Sequence, residues 1–73
     1  MPNTASSNLQ ITVNGTLHLL QGLWLSDLVA ELTLDPRSVA VELNRTIIPR
    51  SDYATTSLQA GDAVEIVRFI GGG

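Results

Sequence analysis

Leu25-Ser-Asp-Leu-Val-Ala-Glu-Leu32 is the stretch where the apolar period of this chain changes. Leu25, Leu28, Val29 and Leu32 fall at i, i+3, i+4 and i+7, a stripe down one face of a helix. Asp27 sits in the first turn, where a carboxylate suits the helix dipole. Ser26 is a candidate N-cap, with the periodicity placing the start a residue or two earlier. Asp35-Pro36 is the expected stop, because the residue before proline is pushed out of helical geometry. Trp24, at the mouth of the helix, reads as a lid on a small core.

On the N-terminal side of the helix the period is two. Leu9, Ile11 and Val13 alternate with Gln10, Thr12 and Asn14, as in a strand with one buried face. Asn14-Gly15 follows, the strongest short hairpin signal. Thr16-Leu-His-Leu-Leu20 returns as a second strand, with Leu17 and Leu19 expected on the buried face and Gln21-Gly22 at its end. On the C-terminal side Val39, Val41 and Leu43 alternate with Ala40 and Glu42. Asn44-Arg45 reads as a turn, Thr46-Ile47-Ile48 as a short strand closed by Pro49, and Ser51–Ala54 as a single helical turn. Ala60-Gly61-Asp62 turns into a last strand with Val64 and Ile66 on one face and Glu65 on the other. Hairpin, helix, then strands, with one helix for one sheet, predicts an α+β domain in which the helix covers a single face. The first and last strands become central neighbours if the crossover is right-handed.

The composition is that of a small globular domain: 73 residues, 44% hydrophobic and 15% charged. The net charge is −3, lysine is missing, and Arg37, Arg45, Arg50 and Arg68 are scattered. Nucleic acid asks for a basic stripe, so it is not an expected partner. No apolar run approaches the length of a membrane span. Residues 1–8 are small and polar, lack the basic and apolar regions of a signal peptide, and read as a loose tail. A cytoplasmic address is the expectation. With no cysteine there is no disulfide, thiolate metal site or thiol nucleophile.

Side chains that could carry chemistry are sparse. His18 is the lone histidine, placed mid-strand with no carboxylate close in sequence, and reads as an exposed strand residue. The acids show no ligand spacing, and neither Asn14-Gly15 nor Ala60-Gly61 has the context of a phosphate loop. Arg50 reads either as a surface partner of Asp52 or as a contact for another protein. The last strand says more. If Val64 and Ile66 face the core, then Val67 and Phe69 face outward, beside Ile70 and the glycines Gly71, Gly72 and Gly73. Apolar side chains beside such a tail mark a docking surface. Three glycines are the thinnest and most mobile peptide available, suited to being threaded into a narrow site.

Val39-Ala-Val-Glu-Leu-Asn44, Ile48-Pro-Arg50, Gly61-Asp-Ala-Val-Glu-Ile-Val67 and the closing glycines together resemble the ThiS family, the ubiquitin-like sulfur carriers of thiazole formation in thiamine biosynthesis. The likeness covers about residues 9–73; Trp24 departs from it, standing where the family usually has a capping threonine. The resemblance implies a β-grasp fold: a mixed sheet of four to five strands with one helix across one face. It implies a tail over 1–8, a β-grasp domain over 9–70 and a mobile tail over 71–73. It further implies that Gly73 carries sulfur. Its carboxylate would be adenylated with ATP by a ThiF-like enzyme and converted to a thiocarboxylate by a cysteine desulfurase or other persulfide donor. Thiazole synthase, ThiG-like, would receive the sulfur. Gly71 and Gly72 would thread the tail; Val67, Phe69 and Ile70 would dock the partner. The carrier would bind no cofactor or metal itself and would not be an enzyme. A MoaD-like carrier for molybdopterin, a ubiquitin-like protein modifier and a non-covalent interaction domain remain alternatives, because they share the glycine end or the fold.

Overall fold

The computed structural model describes residues 8–69. Among them are five strands: β1 (Leu9–Val13), β2 (Thr16–Leu20), β3 (Val39–Leu43), β4 (Thr46–Ile48) and β5 (Ala63–Arg68). One helix, α1 (Leu25–Glu31), and two 3-10 turns, Pro36–Ser38 and Arg50–Thr55, complete the elements. The strands form one sheet in the order β2-β1-β5-β3-β4. β1 and β5 pair in parallel and the other neighbours are antiparallel. This is the mixed five-stranded sheet with one helix that the β-grasp resemblance implies, with the first and last strands at its centre.

The two hairpins follow from their turn residues. Asn14 and Gly15 have φ of 51° and 82°, and Asn44 and Arg45 have 50° and 73°. Two positive φ values in a row are the primed turn whose twist matches the strands it joins. Asn14-Gly15 is the usual pair for that turn; Arg45 stands where glycine would be free of strain.

Leu25, Leu28 and Val29 of α1 press on Ile11, Leu20, Val39, Val41, Val64 and Ile66 of the sheet. Tyr53 and Leu58, from the segment after β4, close the side. Burial of Tyr53 raises its hydroxyl pKa above the ordinary value, with Arg50 pulling weakly the other way.

Four features differ from the sequence reading. In β2 it is Leu20 that is buried and His18 half-buried, while Leu17 and Leu19 are 56% and 49% exposed. The register explains this: Ile11 faces His18 and Leu9 faces Leu20, which places Leu17 and Leu19 on the other side of the sheet. Trp24, 41% exposed, is no lid; its backbone is the N-cap of α1 and forms an isolated bridge with Ser57. Ser26 is therefore inside the helix. An indole has no acceptor, so the first turn is closed from the other end. Asp27 Oδ2 accepts from the Trp24 and Leu23 N–H groups at 2.9 and 3.0 Å. These two bonds hold the Asp27 carboxyl below its ordinary pKa.

The helix also stops before Asp35-Pro36. Thr33 N–H donates to Ala30 O and Leu34 N–H to Val29 O, with Thr33 at φ 54°. That is a Schellman stop, made here without the usual glycine. Asp35-Pro36 instead starts the first 3-10 turn, where the Asp35 carboxylate accepts from Arg37 N–H.

Candidate functional site

The candidate site is the C-terminal half of β5 and the open face of the sheet around it. Ala63–Arg68 alternates as the sequence predicts: Val64 and Ile66 are buried, Glu65 and Val67 exposed. Val67 is 60% and Phe69 64% exposed. The helix covers the opposite face, so this face carries no layer of its own among the described residues. It also presents Leu17 and Leu19 from β2 and Ile47 from β4, the last 70% exposed. Across the strands Ala40 faces Val67, and Glu42 faces both Glu65 and Ile47. Apolar and polar side chains are interleaved on this face: Glu42 and Glu65 lie side by side near its middle, and Gln10 and Thr12 of β1 stand between Leu19 and Leu17 and the start of β5. Leu17, Leu19 and Ile47 are docking candidates the sequence reading missed. The signal was present for the first two, since a two-residue turn pairs Val13 with Thr16 and so fixes every later pair.

The strand is held on both sides. Toward β3, Phe69 N–H donates to Ser38 O at 2.9 Å, so pairing persists to the last described residue. At its start, the Asn44 side chain accepts from Ala63 N–H at 2.9 Å and donates to Asp62 at 3.0 Å. The Asp62 carboxylate in turn accepts from Gln59 N–H at 2.7 Å, tightening the turn that feeds β5. Ile70, Gly71, Gly72 and Gly73 lie outside the described residues.

Other candidate residues are assembled differently from the sequence reading. His18 Nε2 lies 3.2 Å from Glu31, whose second oxygen accepts from Gln21 and Gly22 N–H groups at 2.8 and 3.2 Å. The lone histidine thus helps tie the β2–α1 loop to the end of the helix. Arg50 makes no ion pair with Asp52; it lies on the rim of an apolar groove walled by Val29, Leu34 and Tyr53. The cation–carboxylate pair on this side is Arg37 with Asp35, at 3.2 Å. The Arg37 guanidinium, and then its N–H, hold the Asp35 carboxyl below its ordinary pKa. Among the described residues no cluster of histidine and acid side chains could hold a metal ion, and no helix is long and apolar enough to cross a membrane.

Comparison with known proteins places this geometry. The model of the ThiS family matches residues 6–73. A thiazole synthase of Paramagnetospirillum magneticum is 41% identical over 66 residues, covering 89% of this chain and 20% of that protein. The chain thus spans about a fifth of the thiazole synthases it matches. The sulfur carrier protein ThiS of Bacillus subtilis is 41% identical over 49 residues, covering 67% of this chain and 74% of that one. The crystal structure of thiamine biosynthesis protein ThiS from Geobacter metallireducens superposes with a TM-score of 0.74 at 35% identity, over 89% of this chain and 100% of that one. The chain belongs to the ThiS family, the sulfur-carrier family of thiamine biosynthesis.

Proposed function

We propose that the chain carries sulfur as a thiocarboxylate on Gly73 and delivers it for thiazole formation. The observation that carries this reading is the family match, which runs unbroken from the folded domain through the three glycines. A carboxylate is a poor acylating group until activated. An oxygen of Gly73 attacks the α-phosphate of ATP in a ThiF-like enzyme, pyrophosphate leaves, and an acyl-adenylate forms. The terminal sulfur of a persulfide, charged by a cysteine desulfurase or another donor, attacks the acyl carbon and expels AMP. A thiol then cleaves the S–S bond and leaves the thiocarboxylate. Gly71 and Gly72 present backbone alone to the channel. Val67, Phe69 and Ile70 grip the enzyme that encloses the tail. ATP is consumed at the partner, and the carrier binds no cofactor of its own. Support for a thiazole synthase as recipient comes from the thiazole synthases that contain a stretch similar to this chain.

The test is pyrophosphate release together with intact mass, with ATP, a desulfurase and the adenylating enzyme present. Wild type is expected to gain the mass of an oxygen-to-sulfur exchange at Gly73. One residue added after Gly73 moves the reacting carbonyl by about 3.5 Å, too far for aligned attack. Gly72→Val should block the channel. An extended chain sulfurated as fast as wild type overturns the reading.

A further inference from the structure

Past Ile66, the strand that leads to the tail loses its neighbour on one side. Even-numbered residues of β5 turn their backbone groups toward β1, where Asn14 N–H donates to Val64 O at 2.8 Å. Odd-numbered residues turn toward β3, as Ala63 O accepting from Asn44 N–H and Phe69 N–H donating to Ser38 O show. β1 ends at Val13 and the chain turns back at Asn14-Gly15. Ile66 is therefore the first residue of β5 with no backbone partner on that side. The side chain of Asn14 takes the place of the missing peptide. Its Oδ1 accepts from Ile66 N–H at 2.7 Å and its Nδ2 donates to Ile66 O at 3.1 Å. Both bonds are partly buried and span 52 residues of sequence. The partners also fix the amide's orientation, since an N–H needs the oxygen and a carbonyl needs the NH2.

We propose that Asn14 is a positioning residue for the tail. It extends the β1 side of the ladder by one unit and sets the in-plane direction in which β5 leaves the sheet. Without it the last residues before Ile70 would be held by β3 alone. The strand could then pivot about that edge, and a small pivot at Ile66 grows along the residues that follow. Reaction rates fall steeply when a reacting group is misplaced by about 1 Å. The turn itself does not need asparagine. Glycine also meets the positive φ of 51° at position 14, so the amide can be removed while the turn is kept.

The inference rests on the reading that Gly73 is adenylated, and the experiment separates the two. Asn14→Gly keeps the turn and removes both bonds; Asn14→Asp keeps an acceptor for Ile66 N–H but sets a second oxygen against Ile66 O. Amide hydrogen exchange of the free protein and pyrophosphate release at varied carrier concentration are measured well below melting. In Asn14→Gly the Ile66 amide is expected to exchange about tenfold faster or more, with core amides such as Val41 unchanged. The kcat is expected to fall about tenfold with KM rising less, because the docking side chains of Val67 and Phe69 are still present although the strand that carries them is less firmly held. Asn14→Asp should fall between. An Ile66 amide that exchanges as in wild type overturns the clamp. Faster exchange with kcat unchanged overturns the positioning role and leaves a structural one. A wild-type chain that releases no pyrophosphate, with Ile66 exchange still dependent on Asn14, sinks the adenylation reading and with it the positioning role, and leaves the clamp standing.

Discussion

A methyl group built on Gly22 would overlap the Asp27 side chain, the carboxylate that closes the first turn of α1. Gly22 does not adopt a left-handed φ, so room, and not backbone freedom, requires glycine there. Gly22→Ala should displace the cap and lower the melting temperature by about 4–8 °C, the range for a lost cap in a domain of this size. An unchanged thermal transition would show that Asp27 moves aside freely. Thr33 presents the reverse case. A β-branched residue at φ 54° carries steric cost that glycine lacks, and the Schellman bonds are made by backbone. Thr33→Gly is expected to add about 0.5–1 kcal/mol, net of the extra freedom glycine gives the unfolded chain. Chemical denaturation should show this as a higher midpoint at constant slope. The carboxylates give a pH dependence of definite sign. Asp27 and Asp35 have folded pKa values below the ordinary 3.8, so the stability they add is complete above that value and is lost as pH falls through the lowered ones. The midpoint should therefore drop on acidification below about pH 4. Asp27→Asn, which still accepts but does not titrate, should flatten that drop.

Element by element, the chain was legible wherever local pattern and pairing agree. Leu25, Leu28 and Val29 announced the helix, Asn14-Gly15 the hairpin, and Val64 and Ile66 the buried face of β5. β2 is where pattern misleads. Leu17-His18-Leu19-Leu20 offers leucines to both faces, and two on one parity outweigh one on the other if they are merely counted. The turn decides instead, because pairing Val13 with Thr16 carries Leu20 to the core face opposite Leu9. The stop of α1 was missed because Thr33 takes a conformation that glycine or asparagine usually signals. The bonds from Asn14 and Asn44 to β5 join residues far apart in sequence, and no local pattern reports them. The corrected parity of β2 has a measurable consequence. Leu20 is fully buried and Leu20→Ala should cost about 2–5 kcal/mol, whereas Leu19→Ala should cost under about 1 kcal/mol. Equal losses, compared by urea unfolding of the two variants, would put both leucines in the core.

At the scale of the whole molecule, the fold sorts its surface into a covered and an open side. The helix covers one face of the sheet, and β5 runs through the centre and leads straight to the tail. An enzyme that encloses the tail must meet whatever the open face presents beside it. Val67 and Phe69 are that part; Ile47, Leu17 and Leu19 share the face but stand apart from it, across Glu42 and Glu65 on one side and Gln10 and Thr12 on the other. Monomeric domains rarely leave such apolar side chains together without a partner, and a domain this small has little core to spare. Phe69 is the expected anchor, since large, rigid aromatics carry most of the energy in such contacts. Phe69→Ala should weaken binding to the adenylating enzyme by about 2 kcal/mol or more, roughly thirtyfold. The fold should survive, because the Phe69 side chain is 64% exposed and its bond to Ser38 is made by backbone. Ile47→Ala, farther from the tail, should cost less than Phe69→Ala. Titration calorimetry against the adenylating enzyme gives the affinities, and circular dichroism checks folding. A folded Phe69→Ala variant that binds like wild type removes the open face from the docking surface. An unfolded one would mean that Phe69 turns back into the core, against the 64% exposure of its side chain here.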